Sequence, residues 1–391
     1  MKRKERGEKI EPFYHDTNLQ IIFAVTLIAV LGVSSISPAF YEIGQIFSKR
    51  AVLLLIVVFT IPGVLLTPVL GVLADRFGRK KILVPSLLLF GIAGCACTFA
   101  RDLNLLLTLR FLQGIGAAAL GSLNVTIISD LYSGNRLATA MGYNASVINI
   151  AVPSYLLLGG ALASLAWYYP FVLSLIAVPV GILVLTSLKS PEPENHQDFK
   201  QYLSSAFQTI KNRQVLVLFS ATLFTFIIMY GAYITSFPLL LGDKFHASPF
   251  LIGLILSSMS LTTAATSSQF GKLTKRFSEK TLLKSVFFIY ALALFIIPFV
   301  HNIWLFIIPT SILGFAQGMN TPSVQTLLAR LAPIEHRAAF MSLNGMTLRL
   351  GQTIGPLLVG AIFIAWGFEG TFFVSAGLSV VMFILVLVLL K

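Results

Sequence analysis

Two arginines sit where a charge needs a reason. Arg110 lies within LLLTLRFLQGIGAAALG and Arg349 within MTLRLGQTIGPLLVG, strings that are otherwise almost wholly apolar. A charge at the centre of a membrane helix costs about 2.5–3.5 kcal/mol on insertion scales. Each guanidinium therefore wants an anion or several acceptors. The 15 Asp and Glu residues do not meet that need. Four lie in the N-terminal tail and the rest in loops or at the ends of apolar runs. Glu42, at the outer end of the first run, is the one acid placed to tilt into a cavity. Two uncompensated cations with no carboxylate at mid-depth favour a neutral or anionic ligand, because a buried cation seeks an anion or many acceptors.

Other reactive side chains form no constellation. The five histidines, His15, His196, His246, His301 and His336, are scattered and pair with nothing. Cys95 and Cys97 share one apolar run with a single residue between them, whereas a zinc site wants four ligands in spaced pairs. No metal and no cofactor is expected. GIGAAA at Gly114–Ala119 lacks the strand and βαβ unit that a dinucleotide fingerprint requires, so close helix packing by small residues explains it better. No Walker motif is present. An enzyme, such as a membrane-embedded transferase, would need a polar catalytic cluster at one interface, and there is none.

The elements that must carry these residues are membrane helices. Hydrophobic residues make up 56% of the 391 and charged residues 11%, against about 25% charged in a soluble domain. Apolar runs are readable at about 19–41, 51–72, 82–99, 105–128, 139–164, 171–188, 215–240, 250–269, 281–300, 303–329, 338–366 and 371–390, each near the ~20 residues a bilayer demands. The net charge of +13 sits in short clusters between the runs, not along one face, which argues against nucleic acid. With a cytoplasmic N-terminus, 22 of the 28 Lys and Arg residues fall on the inner side. Only Lys49, Arg50, Arg101 and Lys244 fall outside. Cations resist translocation, so both termini are expected in the cytoplasm. Trp167, Tyr168, Tyr169, Trp304 and Trp366 then fall near the outer interface.

The chain is duplicated. At an offset of 200, Gly71, Leu73, Arg76, Phe77, Lys80 and Leu83 fall on Gly271, Leu273, Arg276, Phe277, Lys280 and Leu283. Ala138, Met141, Asn144, Leu157, Leu158, Gly160 and Ala161 repeat in the same way. This gives an organisation of a tail (1–18), a six-helix half (19–188), a linker (189–214) and a second half (215–391). Repeated halves in a membrane protein point to a transporter with its site near the midplane between them. A channel would need a continuous polar stripe, which the polar residues do not form.

Loop and helix motifs narrow this. GVLADRFGRKK (Gly71–Lys81) follows the second run, where two helices must reverse; Gly71 and Gly78 are expected to serve that turn. The string resembles the loop signature of the major facilitator superfamily, and GKLTKRFSEK (Gly271–Lys280) resembles its weaker second copy. Arg110, Gln113, Gly114 and Gly116 resemble the fourth-helix signature of proton-coupled members. LGVSSISPAF is similar to the first-helix pattern of twelve-helix drug:proton antiporters. The fifth-helix signature departs: INIAVPSYLLLGG keeps Gly159 and Gly160, but Pro153 sits three residues early. The fuller copy is in the eleventh run, at Gly351, Gly355, Pro356 and Gly360.

The resemblance implies an all-α polytopic membrane protein, twelve helices in two pseudo-symmetric halves around a central cavity. It implies secondary active export of a small amphipathic compound by alternating access, with a proton as the counter-ion, by a monomer in the cell (inner) membrane. It also implies a conformational lock of Gly71, Asp75, Arg76, Gly78, Arg79 and Asp130. The resemblance implies that the loop Asp faces the start of helix 11 and that the loop Arg pairs with the acid ending helix 4. Proton coupling is expected to involve Arg110 and Glu42. Candidate cavity residues are Ser34, Ser37, Arg110, Gln113, Asn149, Tyr230, Tyr233, Gln317, Asn320, Arg349 and Gln352. An uncoupled facilitator or anion exchanger of the same fold is the alternative, favoured by the missing core carboxylate.

Overall fold

A computed structural model describes residues 16–189, 212–331 and 337–390. Most of the expected tail (1–18) and linker (189–214) lies outside the described residues. Among the described residues there is no strand. Helices α1 (Thr17–Ile46), α2 (Lys49–Phe77), α3 (Arg79–Phe99) and α4 (Leu103–Leu131) are followed by α5 (Gly134–Leu165) and α6 (Tyr169–Ser187). The second half holds α7 (Arg213–Phe245), α8 (Pro249–Ser268), α9 (Glu279–Phe299) and α10 (Ile303–Leu331). The last run, Arg337–Leu389, is bent at Gly367 (φ 66°, ψ −163°) into α11 (337–366) and α12 (368–389). Among the described residues that makes twelve long helices, with a short one at Phe270–Leu273 between α8 and α9.

The helices begin where the sequence supplies caps. Asp16 accepts from Asn18 N and Leu19 N at the start of α1. Ser48, Asp102, Ser248 and Ser278 do the same for α2, α4, α8 and α9. A backbone N–H left open in hydrocarbon costs several kcal/mol, so caps belong at the edges. Several helices outrun their apolar stretch: α2 continues to Phe77 and α4 to Leu131, because a helix entering water keeps its own backbone bonds. This corrects one expectation. Gly78, at φ +105°, makes the reversal between α2 and α3, a backbone state that glycine adopts without strain. Gly71 does not; it lies inside α2.

Within each half, helices meet through small residues and polar pins. A Cβ on Gly159 would fall 1.9 Å from the Ser35 carbonyl oxygen, so α1 and α5 touch backbone to backbone, as small residues in membrane helices allow. Thr26 of α1 donates to Asn144 of α5, and Thr222 of α7 donates to Asn344 of α11 at 2.6 Å. Asn144 and Asn344 are 200 residues apart, while their threonine partners differ by one helical turn, since Phe226 stands at the place of Thr26.

The two ends of the bundle differ. One end, called the basic end here, carries the described chain ends and the α2–α3, α4–α5, α8–α9 and α10–α11 connections. At the opposite end the halves are fastened together. Lys49 of α2 pairs with Asp243 of α7 and lies 5.5 and 5.4 Å from the ring centroids of Phe363 and Phe368. Ser37 donates to Ile234 O at 3.0 Å. A sealing apolar cluster includes Ile36, Phe40, Ile43, Val52 and Leu55 of the first half with Leu239 of the second. Trp167, Tyr168, Tyr169, Trp304 and Trp366 all belong to this end. Deeper contacts between halves are Thr353 to Thr60 (3.0 Å), Ser257 to Pro153 O (3.2 Å) and Asn149 to Ser267 (3.2 Å). Towards the basic end of α2 and α11 the halves part. A Cβ on Gly71 or on Gly345 would meet nothing within 4 Å.

Candidate functional site

Arg349 projects from α11 into the other half. A Cβ built on Gly63 of α2 would lie 3.4 Å from its Cδ and 3.6 Å from its Nε. A Cβ on Gly121 of α4 would lie 3.4 Å from its NH2. The side chain thus packs against α2 and α4 at two glycines, each at a distance where a methyl would just touch it. Its NH1 donates to Gln352 Oε1 at 3.1 Å, and Tyr230 of α7 stands beside both residues. Arg349 is half-buried and sits on the open side of the Thr60–Thr353 contact, one turn away along α11.

Tyr230 is placed there by a feature the sequence did not reveal. Residues Met229–Ser236 of α7 form a π-helical stretch, and the side-chain hydroxyls of Thr235 and Ser236 donate to the carbonyls of Tyr230 and Gly231, five residues back. Such bulges recur at functional sites. Gly231 faces Val359 and the Gly355 carbonyl of α11. The Gly351, Gly355, Pro356 and Gly360 string therefore serves close packing of α11 on α7, with Gly360 facing Leu53 of α2.

Arg110 is enclosed within the first half. It is 1% exposed. Its NH1 donates to Gly32 O (3.0 Å) and Gln113 Oε1 (2.7 Å), while Gln113 Nε2 donates to Ser174 Oγ at 2.9 Å. The Phe59 ring lies 4.2 Å from its guanidinium carbon, and its Nε has no partner. Arg110 and Gln113 are thus built into a network among α1, α2, α4 and α6, away from the gap beside Arg349. Glu42 lies half-buried on the Phe40–Ile46 turn at the opposite end, and no hydrogen bond or ion pair joins it to Arg110. Among the described residues neither Arg110 nor Arg349 forms an ion pair; the five pairs present all lie elsewhere.

The remaining cavity candidates divide. Ser37 and Asn149 hydrogen-bond across the halves, and Tyr230 packs against the core of the first half. Gln352 is buried on α11 beside Arg349 and Tyr230. Ser34 is buried in α1. Tyr233, Gln317 and Asn320 are used inside the second half. Tyr233 donates to Leu256 O at 2.9 Å. Tyr290 donates to Gln317, and Asn320 donates to Thr225 at 2.7 Å. These bonds run between neighbouring helices, as membrane interiors require, while Asn320 Oδ1 is buried without a partner.

The loop cluster forms as a bridged triad. Arg79 pairs with Asp75 through NH1 and with Asp130 through Nε at 3.0 Å, while Arg76 lies over the Phe77 ring. The residues preceding α11 (332–336) lie outside the described residues. Nearby, Tyr132 donates to Asp16 at 2.5 Å. Burial and then Asp16 hold its hydroxyl well above the ordinary tyrosine range, so it stays a donor and ties α1 to the end of α4.

One pair went unnoticed in the sequence. Arg330 pairs with Glu279 through both nitrogens, at 2.6 and 3.1 Å. Arg330 is Asp130 plus 200 and Glu279 is Arg79 plus 200; a comparison of identities alone passes over a position where the charge is reversed. The Lys49–Asp243 fastening was likewise invisible, since neither residue repeats.

Comparison with known proteins agrees with this architecture. The chain is 25% identical over 353 residues to multidrug resistance protein 2 of Bacillus subtilis, covering 88% of each. It is 23% identical over 339 residues to the quinolone resistance protein NorA of Staphylococcus aureus, covering 86% of each. Among solved structures, a bacterial homologue of the human lysosomal transporter Spinster matches with a TM-score of 0.83 at 15% identity, over 97% of this chain and 98% of that one. The nucleoside transporter NupG matches at 0.79 and 13%, over 96% and 100%. The family model matches residues 22–243 and 219–391, and this multi-pass membrane transporter belongs to the Major Facilitator Superfamily.

Proposed function

We propose that this chain exports small amphipathic compounds, neutral or anionic, by alternating access, with proton entry as the driving reaction. The observation that carries the reading is the asymmetry of the bundle. The halves are fastened by Lys49, Asp243 and Ser37 at one end and part below Arg349 at the other. The excess of Lys and Arg at the basic end makes that end, and both termini, cytoplasmic. This conformation then admits cargo from the cytoplasm. The resistance roles named for the two bacterial relatives support export. The protein works in the cell membrane as a monomer.

Gly71, Asp75, Arg76, Gly78, Arg79 and Asp130 form the lock that closes the cytoplasmic end. Ser34, Ser37, Gln113, Asn149, Tyr230, Tyr233, Gln317, Asn320, Arg349 and Gln352 supply the cavity and its supporting shell. Coupling is assigned to Glu42 and Arg110. One proton moving down 100 mV supplies about 2.3 kcal/mol, or about 50-fold in gradient at 1.36 kcal/mol per decade. The second reading, an uncoupled facilitator or anion exchanger, is favoured by the absence of any ion pair to Arg110 or Arg349 among the described residues.

Substrate-triggered proton release separates the two. Everted vesicles are energised and acidified, and a panel of cationic, neutral and anionic amphiphiles is added against an acridine dye. Dequenching with neutral or anionic compounds, absent from vesicles lacking the protein, is expected. Uptake of the same compounds without dequenching would replace the antiporter with the facilitator or exchanger.

A further inference from the structure

We propose that Arg349 is the anchor for the carboxylate head of an anionic amphipathic substrate, bound at the inner limit of the gap between the halves; this rests on the transport reading above. The guanidinium is the charged group that a solute entering from the basic end meets before the Thr60–Thr353 contact stops it. One of its five N–H donors is used, by Gln352. It forms no ion pair among the described residues, and it is half-buried, so its charge is neither neutralised by the protein nor fully hydrated. The guanidinium lies against the N-terminal half, its Nε and NH2 within van der Waals reach of a Cβ on Gly63 or Gly121. A carboxylate presents two oxygens at the spacing of two guanidinium N–H groups, and the resulting fork is short, charge-assisted and directional. Gln352 holds the guanidinium in register from behind. The Tyr230 ring, set by the π-helical stretch, supplies an apolar flank for the body of the ligand.

The placement also links binding to the conformational cycle. Arg349 belongs to the second half, and its head rests against α2 and α4 of the first. A carboxylate at this point contacts both halves through one side chain, and the site is remade when α11 moves against α2. Arg110 offers no rival anchor: at 1% exposure, behind Gly32, Gln113 and Phe59, it cannot be reached without unpacking α1 from α4.

The test uses purified full-length protein and a panel of biaryl carboxylates, each matched with the carboxamide of the same skeleton. Binding is read by calorimetry and thermal shift, and movement in proteoliposomes under imposed proton and potential gradients. Wild type is expected to prefer the carboxylate by roughly 10-fold, about 1.4 kcal/mol. Arg349→Gln should abolish that preference while leaving carboxamide affinity within about 2-fold. Arg349→Lys should keep part of it, since an ammonium retains the charge without the fork. Gly121→Leu, which crowds the NH2 side, should lower carboxylate affinity with Arg349 intact. Without ligand, Arg349→Gln should be at least as heat-stable as wild type, because it removes an uncompensated charge. A carboxylate preference that survives Arg349→Gln, or none in wild type, overturns the anchor. Arg349-dependent binding without movement of any compound would keep the anchor and refute export.

Discussion

Asp130 and Arg330 occupy equivalent places 200 residues apart, each the next-to-last residue of its helix, and carry opposite charges. Each pairs with the residue that opens the preceding helix, Asp130 with Arg79 of α3 and Arg330 with Glu279 of α9. Asp75, the third member of the first cluster, is matched by Lys275. The reversal has a physical consequence. A helix favours an anion at its N-terminus and a cation at its C-terminus, each by about 0.3–1 kcal/mol. Glu279 and Arg330 obey that preference. Arg79 and Asp130 both oppose it, and are held by one another and by Asp75. The second-half pair is thus a brace, and the first-half cluster is poised to rearrange.

Neutralising the brace should cost stability and leave turnover alone. For Glu279→Gln we expect a lower melting temperature, from a loss of about 1 kcal/mol, with transport rates within about 2-fold of wild type. A rate loss much larger than the stability loss would remove the distinction between the two clusters.

Changing the first-half cluster should do the reverse. Asp75→Asn is expected to leave the protein in the membrane, with little change in melting temperature, and to slow transport by roughly 10-fold. The charge-swapped double variant Arg79→Asp with Asp130→Arg restores the pair along the helix dipoles. It should be as stable as wild type or more so, yet slow to switch. Unchanged turnover in both would sink the lock.

Opening at the opposite end depends on Lys49. It is the one described cation that contacts Asp243, Phe363 and Phe368 together. Lys49→Ala is expected to expose this end, raising labelling of a cysteine placed at Leu239, buried in the sealing cluster, by up to about 5-fold for about 1 kcal/mol lost. Labelling equal to wild type would show that the apolar cluster alone holds the seal.

The paired asparagines make an asymmetric prediction. Thr222→Val breaks one interhelical hydrogen bond, to Asn344, whereas Thr26→Val breaks two, to Asn144 and from Asn124 of α4. Each bond should cost about 0.6–2 kcal/mol, read as a larger fall in melting temperature for Thr26→Val. An equal or larger fall for Thr222→Val would mean that the Asn124 bond adds nothing.

Much of this was legible in the chain. Twelve apolar runs, the duplication and the loop signature led to the fold, because membrane helices are written in hydropathy and need no long-range information. Arg349 stood out for the same reason, as a charge with no apolar excuse. Other parts were hidden. Arg110 and Arg349 look alike in sequence, but one is packed among Gly32, Gln113 and Phe59 and the other borders the gap; which face of a helix turns inward is a tertiary matter. The π-helical stretch at Met229–Ser236 leaves no pattern in residue types. Hydropathy ends near Gly71, which gives it the look of a turn residue, while the helix itself runs on to Phe77.

Alternating access is tested most directly by distances at both ends of one molecule. With Cys95 and Cys97 replaced, spin labels at Gly71 and Gly345, where added side chains meet nothing within 4 Å, report the basic end. A second pair at Gln45 and Lys244 reports the opposite end. Across conditions that change protonation and substrate occupancy, the first distance should shorten as the second lengthens. Two distances that stay fixed, or that change in the same sense, would contradict the account.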